Sequence, residues 1–510
     1  MTALPGWLTP LPDAGLVREA DRLTIEEIGI PGIELMERAA EALVEGVFGA
    51  APDGRVLIVA GKGNNGGDGL AAARLLRERG RDVVVQATCS NEQWVGDSAL
   101  MLKSLPGVPP QPLSSGPDGF SCVVDCILGT GASGAPHGAA LDAITLVNQL
   151  RADGAAIVAC DVPSGVDAST GEIAGAAVMA DLTVTFHAMK PGLWVRPGKA
   201  HVGVVHAADI GIPSQLTNDA SVGLIKPEVV AGLPQRGQDD DKFSAGSVIV
   251  VGGSPGLTGA PILASLGAAR GGAGYVTAAL PESLLSATDS QPEIMGLALV
   301  EVTGSHCEAG INEILGREGE GRALVVGPGL GRSTDAQTAV RALIGKAKGP
   351  VVLDADGLNA FAGRAELISD SEAELVLTPH VGEMAALLGT GRGEVEASRL
   401  ACVQRLAKLT GAVVVLKGDD SLVATPDGLV AVSEGGAPAL ATAGSGDVLS
   451  GLIGGLLARG ADPFQAACAG VLIHLVAGRV AAEAGTEGVL AGDIAAGLPA
   501  ARNRLASIGR

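Results

Sequence analysis

Short, uninterrupted apolar runs alternate with longer segments whose apolar side chains recur every three or four positions, and this continues over nearly the whole chain. RVLIVA (55–60), RDVVVQATC (81–89), CVVDCILG (122–129), AAIVACDVP (155–163) and DLTVTFHA (181–188) are predicted to be buried strands. Continuous apolar runs, as opposed to alternating ones, suit parallel strands covered on both faces. Between them, segments such as DGLAAARLLRERG have helical spacing and stop at a glycine, here Gly80. The alternation lapses over 212–242, where proline, polar residues and an acidic run mark a linker. It resumes with SVIVVGG (247–253), YVTAAL, RALVVGPGLG, PVVLDADG, ELVLTPH and AVVVLKGDD. Two consecutive α/β domains are expected, 1–220 and 221–510.

Composition narrows this picture. A chain of 510 residues is too long for one core. With 47% hydrophobic residues but only 2% aromatic ones, the core must be Ala, Val, Leu and Ile packed around 76 glycines, as in an α/β enzyme with many tight turns. A net charge of −21, from 35 basic and 56 acidic residues, argues against nucleic acid or an anionic membrane as partner. It leaves room for a phosphorylated ligand, because local backbone amides can outweigh the global field. Seven cysteines lie far apart, and the nearest pair, Cys122 and Cys126, lacks C-x-x-C spacing. With no basic start or long apolar run at the N-terminus, a reduced, cytoplasmic protein without a targeting segment is expected. The apolar stretch 447–478 is broken by Arg459, Asp462, Pro463 and His474, and reads as two buried helices, not a membrane span.

The candidate chemistry begins at GKGNNGGDG (61–69). A triphosphate loop needs Lys after its last glycine, and Lys62 comes too early. Gly61, Gly63 and Gly66 satisfy G-x-G-x-x-G after a strand, but the next strand ends without the acidic residue that holds a ribose, and Glu92 lies past its tip. An ordinary nicotinamide-reductase site is therefore not expected. The loop taken alone has a structural explanation, with Asp68 capping a helix and Asn64 and Asn65 taking left-handed turns. It is not alone: Asp125 interrupts one apolar strand, Asp161 ends another, and Ser164 follows closely. Carboxyl ends of parallel strands line a common crevice, so these oxygen groups converge. They suit a hard cation, a ring hydroxyl or a developing positive charge. GTGASGA (129–135) adds amides suited to phosphate oxygens.

In the second half, TAGSGDVLSG (442–451) opens an apolar helix on glycines 444 and 446, which makes an anion site, with Asp447 beside it. A carboxylate there is either a simple helix cap or the base that deprotonates a hydroxyl attacking a phosphate. The motif resembles the G-[AS]-G-D of ribokinase-like enzymes. TPHVGEM spaces His380 and Glu383 like the Asn-x-x-Glu that organises magnesium in such kinases, with His in place of Asn. Following a strand and Pro379, His380 is expected at the cleft. LDADGLN offers Asp354 and Asp356, one of which is explicable as a turn former.

GKGNNGGDGLAAARLL, VVDCILGTGASGAPHG and DVPSGVDASTGEI, within about residues 10–215, resemble the NAD(P)H-hydrate epimerase domain. GGSPGLTGAP, GPGLG, LDADGLNA, LTPHVGEM, LKGDDS and AGSGDVLSG, within about 225–505, resemble the NAD(P)H-hydrate dehydratase. Together they resemble the bifunctional NAD(P)H-hydrate repair family. The resemblance implies a Rossmann-like three-layer α/β domain followed by a ribokinase-like α/β domain. It implies that Asn64, Asn65, Gly66, Gly67 and Asp68, with Gly129, Thr130, Gly131, Ala132, Ser133, Gly134 and Ala135, bind the hydrated cofactor. Asn65, Asp125 and Ser164 would hold a potassium ion, and Asp161 would contact the ligand and act as acid/base. In the second domain Asp447 would be the base, and Ala260, Gly329 and His380 would touch the hydrate. Lys417, Gly418, Asp419, Asp420, Ser421 and Gly446 would hold a nucleotide, ADP in preference to ATP, with magnesium. The expected partners are hydrated NAD(P)H and ADP or ATP, and a homo-oligomer is expected. The rival expectation is a vitamin or sugar kinase fused to a dinucleotide-binding module.

Overall fold

The computed structural model describes residues 3–114, 119–317, 319 and 322–508. The chain divides into two compact units, Pro10–Gly223 and Leu224–Arg510, the latter joined by Leu4–Thr9.

The first unit is built on a seven-stranded sheet. Its strands lie in the spatial order Gln111–Pro112, Val83–Ala87, Arg55–Ala60, Phe120–Cys126, Ala156–Cys160, Leu182–Phe186 and Val204–Ala208. All neighbours are parallel. The continuous apolar runs are explained by burial on both faces. In Arg55–Ala60, Val56, Ile58 and Ala60 pack with Leu43, Val44 and Leu70, while Leu57 and Val59 pack on the other side with Ile144 and Val147. The result is the expected three-layer α/β architecture.

The chain runs outward from Arg55–Ala60 to one edge and then returns to place Phe120–Cys126 on the other side of the starting strand. This reversal opens a crevice at the carboxyl ends of the two strands, where loops diverge.

The second unit contains an eleven-stranded sheet whose middle, from Val413–Leu416 through Ser247–Val251 to Met295–Leu299, is parallel. Its reversal lies between Ser247–Val251 and Arg322–Val326. The strands Leu422–Ala424 and Val430–Val432 add on antiparallel to each other and to Val413–Leu416. The expected pair of buried helices is Ser445–Ala458 and Pro463–Ala481. The second has the length and hydropathy of a membrane span, but most of it is buried among Val248, Val325 and Leu452 of this unit's core.

One expectation needs correction. The stretch 212–242, read as a linker, carries a strand, Val222–Ile225, paired with Leu8–Pro10 at the sheet edge, and a helical turn, Pro227–Val230. The strand VGLI is too short and too closely flanked by polar residues to register as a periodic run.

Candidate functional site

At the reversal of the first sheet lies a cavity of about 840 Å³, lined by residues that include Asn64, Asn65, Asp68, Gly129, Thr130, Asp161 and Lys190. Asn64 to Asp68 form the first turns of the helix Asn64–Glu78, so Asp68 is not a cap and neither Asn is left-handed. The cap is Gly63. Gly66 and Gly67 are not among the residues that line the cavity. A Cβ on Gly66 would lie 1.8 Å from the Gly61 carbonyl oxygen, so the helix can approach the loop this closely only with glycine there. Ser133, Gly134 and Ala135 line an adjoining cavity of about 480 Å³, with Lys62 and His137 common to both.

Asn65, Asp125 and Ser164 do converge. The Ser164 hydroxyl donates to Asp125 Oδ1 at 2.6 Å and its N–H donates to Oδ2 at 2.8 Å. The Leu128 N–H donates to Ser164 Oγ at 2.8 Å, and Asn65 Nδ2 donates to the Leu128 carbonyl at 2.9 Å. Burial pushes the Asp125 carboxyl up to about 6, against the hydrogen bonds from Ser164 and Ile127.

Asp161 follows the strand Ala156–Cys160 with a left-handed backbone, φ 66°. It is the most heavily bonded carboxylate of this site. Thr130 Oγ1 donates to Oδ2, while Thr185 Oγ1 (3.1 Å), the Phe186 N–H (3.3 Å) and Lys190 Nζ (2.5 Å) donate to Oδ1. Burial alone would raise this carboxyl, but Lys190, Thr130 and Phe186 outweigh it and hold it below its ordinary value. Lys190 is only 1% exposed and also donates to Thr185 Oγ1 at 2.7 Å. The sequence reading missed Lys190, because a lysine after TFHAM has no motif of its own. An isolated positive residue within an otherwise apolar and small-residue stretch was the available signal.

The second site sits at the carboxyl ends of neighbouring parallel strands of the other sheet, Val351–Leu353, Leu375–Leu377 and Val413–Leu416, which lead to Asp354, Glu383 and Lys417. The helix Ser445–Ala458 begins from Gly444, whose φ of 90° favours glycine, and Gly446 and Asp447 lie in its first turn. A Cβ on Gly446 would lie 3.4 Å from Lys417 Nζ, so the ammonium stands against this positive helix end. Lys417 Nζ donates to Asp354 Oδ1 at 2.8 Å and lies 3.9 Å from Glu383 Oε2. Burial would lower the Lys417 pKa, but Asp354 and Glu383 overcome this and keep it an ammonium. Asp447 is pushed up to about 7, by burial first and then by the negative charge of Asp354, against the pull of Lys417.

The two aspartates of LDADGLN separate in role. Asp354 meets Lys417, while Asp356 accepts from the Gly331 N–H at 3.0 Å and from Arg332 Nε at 3.1 Å, tying down the GPGLG loop. Between them Ala355 takes φ 48°. Ala260 and Gly329 come close together, since a Cβ on Gly329 would lie 3.2 Å from that of Ala260.

His380 caps the helix Val381–Leu388. Its Nδ1 accepts from the Gly382 and Glu383 N–H groups at 2.9 and 3.2 Å, and Glu383 Oε2 accepts from the His380 N–H at 2.9 Å. The imidazole thus does the capping work of an Asn side chain, which accounts for the replacement.

In LKGDDS, Lys417 reaches the carboxylate cluster. Asp420 does not: its carboxylate is buried against Arg399 Nε at 2.9 Å. Asp419 Oδ1 accepts from the Gly436 N–H at 2.8 Å, and Ser421 Oγ donates to the Gly418 carbonyl at 2.8 Å. Behind Ser445, His474 is buried and held neutral, its pKa lowered to about 4 by burial. No sequence motif marked it.

Comparison with known proteins follows the same division. Residues 32–192 match the family model described as YjeF-related protein N-terminus, and residues 248–500 match that of NAD(P)H-hydrate dehydratase. The chain is 38% identical over 502 residues to the bifunctional NAD(P)H-hydrate repair enzyme Nnr of Moorella thermoacetica, covering 94% of both chains. It is 34% identical to the protein of that name in Escherichia coli K12, covering 94% of this chain and 91% of the relative. A crystal structure of ADP/ATP-dependent NAD(P)H-hydrate dehydratase from Bacillus subtilis, co-crystallised with ATP/Mg2+, is 30% identical. It matches 55% of this chain and 98% of its own, with a TM-score of 0.49. With both halves matched in order and relatives aligned nearly end to end, the chain belongs to the family of bifunctional NAD(P)H-hydrate repair enzymes.

Proposed function

We propose that the domain over 1–220 interconverts the R and S epimers of hydrated NADH or NADPH. The domain over 221–510 dehydrates the S epimer with ADP or ATP, ADP being favoured, releasing AMP and phosphate when ADP is used. The observation that carries this reading is the opposite tuning of two aspartates, Asp161 held ionised beside Lys190 and Asp447 raised to about 7. An ionised carboxylate stabilises a cation, and a carboxylate titrating near neutrality exchanges protons.

In the first site the hydrated ring is a hemiaminal. Loss of its hydroxyl gives an iminium, and water returns to either face. Asp161, fixed by Thr130, Thr185 and Lys190, would face that positive charge and assist the proton transfers. Amides of 129–135 would bind the phosphates.

A potassium ion fits Asn65, Asp125 and Ser164. Their donor set is all oxygen, and the donors that reach the buried Asp125 carboxylate are uncharged. The ion would supply fixed positive charge beside the phosphate loops.

In the second site Asp447 would take the proton of the S-hydrate hydroxyl as its oxygen attacks the terminal phosphorus. The amides of the first helical turn and Lys417 would meet the developing charge. Phosphate then leaves, pushed by the ring nitrogen lone pair. The iminium so formed loses a proton from its neighbouring ring carbon, whose C–H electrons make the double bond that restores NAD(P)H. Magnesium would enter with the nucleotide phosphates and neutralise them, with Glu383 facing it. Among the described residues no three His, Cys, Asp or Glu side chains form a ready metal cage. Ala260, Gly329 and His380 would contact the hydrate, and Lys417, Gly418, Asp419 and Ser421 with Gly446 the nucleotide, Asp420 being turned inward to Arg399.

The test mixes the protein with R- and S-NADH hydrate, magnesium, potassium and either ADP or ATP, and follows NADH absorbance. Complete recovery with one nucleotide is expected. Recovery that stops when the S epimer is exhausted overturns the epimerase half, and none with either nucleotide overturns the dehydratase half.

A further inference from the structure

Epimerisation at a hemiaminal carbon needs two proton transfers. The hydroxyl leaves as water only when it is protonated, and the water that returns must lose a proton. Asp161, tied to Lys190, is suited to stabilising the iminium and ill suited to donating a proton.

Two further carboxyl groups line the same cavity from helices: Asp68, on Asn64–Glu78, and Asp21, on Ala14–Leu23. No motif led to Asp21. Burial first, and then the charge of Asp161, raises both, Asp21 to about 6. The charges around Asp21 are Asp161 and Lys190, with Arg18, Asp68, Asp97 and His187 also on the cavity wall. Arg22, next in the chain, does not neutralise it, being engaged with Glu19 at 2.7 Å and with Glu26, on the following turn, at 2.6 Å. Glu27 of that turn lies 3.9 Å from the same guanidinium.

Building on the epimerase reading, we infer that Asp21 is a catalytic residue of the first site, the donor of the proton that converts the departing hydroxyl to water. The carbon–oxygen bond breaks with its electron pair going to oxygen, and the ring nitrogen lone pair forms the iminium. On return, water attacks the other face and gives a proton to Asp68 as Asp68 passes its own to the Asp21 carboxylate, so the cycle closes without a co-reactant. Asp68, in the same cavity, is the second carboxyl through which the proton is exchanged between faces.

The test uses the full chain and purified R-NADH hydrate without nucleotide, with conversion to S followed by chromatography. Asp21→Asn is expected to lower kcat about 100-fold, with KM within about threefold. The wild-type rate falls as pH rises above about 6, because the donor loses its proton, and the variant lacks that decline. Asp21→Glu restores the decline with a shifted midpoint. Asp21→Asn activity within about threefold of wild type, or a loss that keeps the same decline with pH, overturns the inference. Should Asp21→Asn melt early, Asp21→Glu decides: a shifted midpoint supports the role and an unchanged one overturns it. Absence of epimerisation by the wild-type chain fails the epimerase reading itself, a separate outcome.

Discussion

Lys190 and Lys417 are both set among carboxylates beyond the carboxyl end of a parallel strand, and each stands near the aspartate assigned the chemistry. Lys190 bonds that aspartate directly, at 2.5 Å from Asp161. Lys417 bonds a neighbour, at 2.8 Å from Asp354, and leaves Asp447 to feel the added negative charge. The first arrangement fixes a charge, and the second frees a proton acceptor. One residue type thus serves two purposes according to which carboxylate it bonds.

The largest expected effect comes from removing the free acceptor. Asp447→Asn should lower dehydration of S-hydrate about 1,000-fold while R-to-S conversion is unchanged, measured by NADH absorbance and by chromatography on the same preparation. The variant should also unfold at higher temperature at pH 8. A carboxyl raised to about 7 stabilises the fold below its ordinary value of 3.8 and loses that contribution as pH rises through 7, and Asn has no charge to bury. A variant with substantial dehydration would remove Asp447 from the chemistry and collapse the contrast.

Next is Lys190→Met, which strands the Asp161 charge and should cost about 3–5 kcal/mol in denaturant unfolding. Lys190→Met with Asp161→Asn should recover most of it. Lys417→Met should cost less, because Glu383 and Asp447 are already raised and can take up protons. Equal losses from the two lysine variants would show that the direct and indirect pairings are energetically alike.

The smallest effect is a pH profile. Dehydration should rise through about pH 7 and level off, because Asp447 accepts a proton only when ionised. Asp161 is ionised throughout that range, so epimerisation should show no such rise. Parallel rises in both rates would erase the distinction.

Much of this was legible in the sequence because it is local. Apolar runs located the central strands, and G-S-G-D revealed a helix start with its carboxylate, since all its parts lie within a few residues. Asp125 stood out as a charge inside an apolar run. What escaped was long-range. The bond of Lys190 to Asp161 spans 29 residues and depends on adjacent strands. Asp21 reaches the cavity from a helix before the first sheet strand of its unit, with no spacing that ties it to the loops. The roles of Asp354 and Asp356 could be separated only once the partners Lys417 and Gly331 were in place.

The left-handed backbone at Asp161 bears on how this protein would respond to laboratory evolution. Such a conformation costs a non-glycine residue on the order of 1–3 kcal/mol, and Asp447 adds a buried carboxyl raised to about 7. Selection for heat tolerance alone would therefore favour an uncharged residue at 447. At 161 the strain is outweighed by the buried Lys190, which loses its partner if the carboxylate goes. Such selection would gain robustness by dismantling the second reaction while sparing the first, so screening must score both activities to keep them.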